Sequence, residues 1–223
     1  MIKLSPRLES IANLVPENSN VIDVGCDHAL LDIYLYQNNI SNKVIASDIN
    51  SNALNNAKLN IKKNNLEEHI ETRLGNGLDT LKKEDEIDTI IISGMGAHTI
   101  VGILKNNLNK LYRVKTIIIQ SNTKLEFLRK EVTKLNYRIE DEVILEDNNK
   151  IYTVIKLVRG FVKYNKKELY FGPILLRKNT DIFKKYNKQE FEKLNMYLKL
   201  LPQERILDRY KLKKEIRLYQ GII

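Results

Sequence analysis

The sequence predicts an α/β fold: a mostly parallel sheet ending in an antiparallel hairpin, followed by a coiled-coil-like C-terminal α-helical hairpin. Three observations predict it. Five short apolar runs, nearly all trailed by a helical pattern, fill the stretch up to Leu135, the rhythm of β-α units in a parallel sheet. Two further strand patterns, Arg138–Leu145 and Ile151–Val158, are separated only by residues 146–150, too few for a crossover helix, so they pair antiparallel. Two long helical patterns, Asn179–Leu201 and Gln203–Tyr219, break at Pro202, and a short loop makes such helices antiparallel neighbours.

Ser5-Pro6 supplies an N-cap and a first-turn proline for a helix over residues 3–14, which Pro16 stops. The first strand is Val21–Gly25, with its helix from His28 to Gln37. Lys43–Asp48 is the second strand, and its helix spans Ser51–Asn64. Ile70–Leu74 is a short third strand ending in Gly75-Asn76-Gly77. Ile87–Ser93 is almost continuously apolar, as a strand covered on both faces is. It ends in Gly94-Met95-Gly96, and a helix follows through Leu104. Lys115–Gln120 is the fifth strand, and Leu125–Leu135 its helix. Residues 161–173 read as a connector rich in Lys, Tyr and Phe. Phe183, Tyr186, Leu194, Leu198 and Leu201 make one apolar stripe of the helical hairpin; Ile206, Tyr210, Ile216 and Tyr219 make a looser second one.

The 223 residues fit one α/β body, residues 1–160, and a helical tail, residues 161–223. A hydrophobic fraction of 43% and a charged fraction of 29% are those of a globular protein in water. No apolar run reaches membrane-spanning length, and MIKLSPRLES lacks the apolar core of a signal peptide. The single cysteine, Cys26, forms no internal disulfide, in keeping with a cytoplasmic protein. Its place in a turn suits a small residue better than a nucleophile. Charge is divided unevenly: residues 1–150 hold 19 Lys+Arg against 21 Asp+Glu, residues 151–223 hold 18 against 7. A near-neutral body with a basic tail is the electrostatic footprint of a nucleic-acid partner. No His/Cys/Asp set has metal-ligand spacing, so no metal is expected. A monomer is expected.

The chemistry concentrates in VIDVGCDHALL, residues 21–31. Strand, glycine turn and helix place a ligand crevice at the strand's carboxyl end, and Gly25 allows close approach where a Cβ would block it. A dinucleotide is disfavoured. Its G-x-G-x-x-G fingerprint would put glycine where Asp27 and Leu30 stand, and a carboxylate repels a pyrophosphate. S-adenosylmethionine carries a sulfonium and an ammonium and no phosphate, so an acidic rim of Asp23 and Asp27 suits it. Asp27 as a plain helix cap remains open at this point. Asp48, 23 residues past Gly25, stands where a carboxylate accepts both ribose hydroxyls, with Ile49 beside it. Asn76, Gly77 and Asp79 suit the adenine edge, and Ser93, Gly94 and Met95 leave room for a flat acceptor beside the methyl.

Seven segments then carry a resemblance: LSPRLESIA (4–12), DVGCDHALLDIYL (23–35), RLGNGLDTL (73–81), IISGMG (91–96), IIIQSN (117–122), KIYTVI (150–155) and FGPILLRKN (171–179). In this order they are similar to the bacterial tRNA adenine-22 N1-methyltransferase family, over essentially the whole chain. The departures are Ala97 for a glycine, Ser121 for a proline, Asp48 for a glutamate and Cys26 for a serine.

The resemblance implies a Rossmann-like class I methyltransferase body, a helical hairpin, and methylation of N1 of a D-arm adenosine in tRNA with S-adenosylmethionine. The donor contacts expected are Arg7, Asp23, Gly25, Asp48, Ile49, Asn76, Gly77, Ser93, Gly94 and Met95. His28, Gln120 and Asn122 are expected at the substrate, and Asp27 is the catalytic candidate. His28 and His98 also fit plain capping or packing roles. The rival readings are a non-catalytic RNA-binding protein with a degenerate methyltransferase body, and a small-molecule methyltransferase that has no use for the basic tail.

Overall fold

The computed structural model describes residues 2–222; Met1 and Ile223, the outer ends of the two expected domains, lie outside the described residues. Helix α1, Pro6–Ala12, starts where Ser5 accepts a hydrogen bond from the Leu8 N–H and proline fills the first turn. Then follow β1 Ser19–Val24, α2 Leu30–Gln37, β2 Ser41–Asp48, α3 Ser51–Lys63, β3 Ile70–Leu74, β4 Thr89–Met95, α4 Ala97–Asn106, β5 Thr116–Ser121 and α5 Leu125–Val132. Strands β6, Tyr137–Asp147, and β7, Lys150–Arg159, form the antiparallel hairpin. Its turn is only Asn148-Asn149, both at positive φ (50° and 59°), a conformation that asparagine tolerates and that suits two-residue hairpins. Both strands therefore run further than the apolar pattern shows.

The sheet order is β3-β2-β1-β4-β5-β7-β6. Pairs β3 through β5 are parallel, and β7 lies antiparallel to both neighbours. Alternate strand residues enter opposite cores. Ile22, Ile90, Ile92, Ile117 and Ile119 pack with α4 and α5; Val21, Ile91 and Ile118 pack with α1 and α2. Both faces are covered, which is why these strands read as unbroken apolar runs. The strand order reverses between β1 and β4, and that switch point opens a crevice at the carboxyl ends.

The stretch 161–173 holds regular structure that the sequence reading placed in a connector. Helix α6, Lys166–Phe171, starts in a capping box in which Asn165 and Glu168 exchange hydrogen bonds, and α7, Pro173–Lys178, follows Gly172. Both pack on the body. The buried Arg129–Glu142 pair (2.7 Å) binds them: Arg129 donates to the Leu169 and Tyr170 carbonyls, and Glu142 accepts from the Ile174 N–H. Helices α6 and α7 thus pack on the body, and Phe183 of the following helix joins them against Ile144 of β6.

Helices α8, Asp181–Leu200, and α9, Ile206–Ile216, run antiparallel, since Tyr219 past the end of α9 returns to Phe191 and Phe171. The second stripe is corrected at its distal end: Ile206 and Tyr210 are 72% and 63% exposed, while Tyr219 is buried. Helix α9 also starts at Ile206, three residues later than expected.

Candidate active site

The switch-point crevice is a cleft of about 480 Å³ lined by Arg7, Asp23, Gly25, Asp27, His28, Asp48, Asn50, Ser93, Gly94 and Met95, among others. The turn after β1 is held by backbone. The Gly25 and Cys26 N–H groups donate to the Ser47 carbonyl at 2.8 and 3.1 Å. Gly25 sits at φ +82°, which favours glycine at this turn, and the Met95 Sδ–Cε end lies over it, 2.5 Å from where a Cβ would stand. Asp27 and Ala29 are also left-handed (φ 51° and 53°), and α2 starts only at Leu30 with no side-chain cap. Asp27 is therefore not the helix cap, and its carboxylate is 71% exposed at the cleft mouth, 3.6 Å from His28 Nε2.

Asp48 binds both neighbouring turns. Its Oδ2 accepts the Asp27 N–H at 3.3 Å and its Oδ1 the Asn50 N–H at 2.8 Å. Each oxygen keeps a further lone pair. Asp23, at the floor, is buried and its Oδ1 has no partner among the described residues. Burial, then the charge of Asp48, pushes its carboxyl up to about 7 against the pull of Arg7. Asp32 on α2 is fully buried with neither oxygen partnered, and burial and Asp23 raise it well above the usual carboxylate range. Two carboxyls that the protein leaves unsatisfied call for protons or for a cation. Of the two, Asp23 lines the cleft, where its carboxyl fits the ammonium of S-adenosylmethionine, and the cleft is of ligand size.

The opposite wall is braced from β5. Gln120 is fully buried; its Oε1 accepts from Arg7 Nη1 (3.2 Å) and the Gly94 N–H (3.0 Å), and its Nε2 donates to Asn122 Oδ1 (3.0 Å). Asn122 in turn donates to the Gly94 carbonyl at 2.9 Å. Gln120 thus supports the Gly94 loop and does not face a substrate, a correction to its expected role. Ile49 is 68% exposed and outside the cleft lining. Asn76, Gly77 and Asp79 line a separate depression with Thr99 and Ile103. A Cβ on Gly77 would meet Ile103 at 3.0 Å, so this glycine lets α4 pack close.

His98 packs against Phe127 (centroids 4.3 Å, planes tilted by 39°) and contacts Lys124, the plain packing role. The Cys26 thiol is buried and pushed up by burial and by Asp32, Asp23 and Asp48, so it is no nucleophile. Asp32 and Asn50 were not singled out from the sequence. Asp32 had a signal, an acid inside the apolar run LLDIYL.

The model of the tRNA (adenine(22)-N(1))-methyltransferase family matches residues 21–221. The Bacillus subtilis enzyme called tRNA (adenine(22)-N(1))-methyltransferase is 34% identical over 197 residues, covering 86% of this chain and 82% of that protein. Two solved structures superpose over nearly the full length. A Streptococcus pneumoniae chain in complex with S-adenosyl-L-methionine gives a TM-score of 0.92 at 30% identity, with 99% of each chain covered. TrmK of M. capricolum in complex with S-adenosyl-homocysteine gives 0.88 at 30% identity, covering 98% of this chain and 97% of that one.

Proposed function

The chain belongs to the tRNA (adenine(22)-N(1))-methyltransferase family, and we propose that it methylates N1 of adenosine 22 in the D-arm of tRNA from a donor seated in the β1–β4 cleft. The observation that carries the placement is the buried, unpartnered Asp23 carboxyl beneath Gly25 and Gly94. When bound, S-adenosylmethionine supplies an electrophilic methyl on a sulfonium.

Each residue then has a role. Asp23 takes the donor's ammonium, Arg7 its carboxylate, and Asp48 its ribose hydroxyls through the lone pairs left free by the two turns. Ser93, Gly94 and Met95 leave the flat space in which the adenine ring meets the methyl. N1 of neutral adenine has an in-plane lone pair and no proton, so no general base is needed. Positive charge passes to the methylated ring, and a carboxylate helps only if it lies nearer the ring than the sulfur. Asp27 at the mouth is that carboxylate, and it also accepts a hydrogen bond from the exocyclic amine. His28 and Asn122, exposed at the rim, contact the RNA.

The basic C-terminal part holds tRNA phosphates. We read the enzyme as a metal-free monomer of the cytoplasm; no helix among the described residues is long and apolar enough to cross a membrane. Calorimetry with S-adenosylhomocysteine tests the donor site: Asp23→Asn weakens binding at least tenfold, and unchanged affinity removes Asp23 from it.

A further inference from the structure

The Arg7 guanidinium is held by neutral groups. Its Nη1 donates to Gln120 Oε1 at 3.2 Å, and it lies over the Tyr152 ring, 5.7 Å from the centroid. We propose that Gln120 and Tyr152 are positioning residues for the donor: they aim Arg7 into the cleft and leave its charge free for the carboxylate of the donor's amino-acid arm. This rests on the donor role proposed above for Arg7.

Three elements meet at this cation, with Arg7 on α1, Gln120 on β5 and Tyr152 on β7. Gln120 is the only acceptor of the guanidinium among the described residues, so most of its five N–H donors are unused. No carboxylate among the described residues forms a salt bridge with it. The acid at the end of β6 is engaged elsewhere: Asp147 Oδ2 accepts the Arg7 backbone N–H at 3.3 Å, and its Oδ1 accepts from Asn148 at 3.0 Å. Asp23 lines the same cleft and feels the Arg7 charge without pairing with it. The cleft therefore offers a free acid for an ammonium and a free guanidinium fork for a carboxylate, the two ends of an α-amino acid. A fork on a carboxylate is a strong, directional pair.

The amide at position 120 is what keeps the charge available. Gln120 is fully buried, and its one oxygen serves both Arg7 and the Gly94 N–H (3.0 Å), while Nε2 donates to Asn122. A glutamate of the same size could accept from the same two donors, but it would bring a negative charge onto Arg7 where screening is weak. The guanidinium would then be neutralised inside the protein and lost to the donor. A neutral amide supplies direction without charge. The half-buried Tyr152 does the same with its ring face.

Calorimetry on the full-length protein compares S-adenosylhomocysteine with 5′-methylthioadenosine, which has the same nucleoside and no amino-acid arm. Arg7→Ala calibrates the arm, weakening the first ligand only. Gln120→Glu weakens S-adenosylhomocysteine about 10- to 150-fold, the range of one hydrogen bond to a charge, and moves methylthioadenosine by less than about twofold. Tyr152→Leu, which serves if the buried glutamate prevents folding, weakens S-adenosylhomocysteine about 2- to 5-fold. It leaves methylthioadenosine unchanged, and Tyr152→Phe binds both as the parent does. Equal loss of both ligands in Gln120→Glu would make Gln120 a brace of the Gly94 loop alone and overturn the proposal. Parental S-adenosylhomocysteine affinity in Gln120→Glu and Tyr152→Leu would overturn it as well. Unchanged affinity in Arg7→Ala overturns the donor role of Arg7 and the proposal with it, and a parent protein that binds neither ligand overturns the donor cleft itself.

Discussion

The Asp27 backbone N–H donates to Asp48 Oδ2 at 3.3 Å, so the carboxylate at the end of β2 shapes the turn after β1. The same side chain accepts the Asn50 N–H at 2.8 Å. A residue proposed for donor binding thus also sets the position of the residue proposed for catalysis.

Asp48→Ala therefore acts twice. The ribose hydroxyls lose a charged acceptor, worth about 1.5–3 kcal/mol, and the Asp27 turn loses its tether. Calorimetry with S-adenosylhomocysteine should show that loss in affinity. An unchanged dissociation constant would exclude the ribose assignment.

Asp23 gives a pH signature. Its carboxyl holds a proton to about 7 when folded against 3.8 in the free side chain. Between those values the folded state binds more protons, so its contribution to stability is full below about 3.8 and is lost as pH rises to about 7. Donor binding runs the other way. A cation seated on Asp23 favours the ionised form, so affinity should rise from pH 6 to 8 and release a proton. Asp23→Asn should flatten both profiles, by thermal unfolding and by calorimetry in buffers of different ionisation enthalpy. A pH-independent affinity in the parent contradicts the assignment.

The domain division predicts two unlike truncations. Cutting after Gly160 removes the Leu169 and Tyr170 carbonyls and the Ile174 N–H from the buried Arg129–Glu142 pair. It also removes the core residues Phe171, Ile174 and Leu175, whose burial is worth about 1.5–3 kcal/mol each, so this fragment should melt far below the parent. Cutting after Asn179 keeps α6 and α7, and this fragment should bind donor normally. Its tRNA affinity should fall, with a shallower salt dependence, because phosphate contacts release counterions. Equal tRNA affinity and salt slope would show that α8 and α9 do not hold RNA.

Asp27→Asn isolates the catalytic charge. Its carboxylate is 71% exposed in the free protein, where a unit charge about 4 Å away is worth about 1 kcal/mol; once RNA covers it, an effective dielectric of about 20 raises this to about 4 kcal/mol gross. Only the differential part acts on rate. The expected fall in kcat is about ten- to a thousand-fold, with donor affinity unchanged. Normal kcat with a weakened donor would make Asp27 a donor ligand instead.

Strands β1, β4 and β5 were legible because burial on both faces leaves nearly continuous apolar runs, and Gly25 because its turn, at φ +82°, favours glycine. Helix α6 was missed for its length: six residues are below what periodicity reveals, though Asn165 and Glu168 spell its capping box. Gln120 was placed at the substrate because its motif sits at a strand end. Strand alternation does not tell a side chain that reaches ligand from one that bonds the next loop. Gly77 carries a related ambiguity, since a glycine packed against Ile103 looks in sequence like one required by a ligand.

The central claim is methyl transfer to one ring nitrogen of one tRNA nucleotide. Unmodified tRNA incubated with the full-length protein and S-adenosylmethionine, then digested and mapped by mass spectrometry, tests it most directly. The account predicts one added methyl, as N1-methyladenosine at position 22, absent without donor. A methyl on another base or another adenine atom, or no transfer while donor still binds, would contradict it.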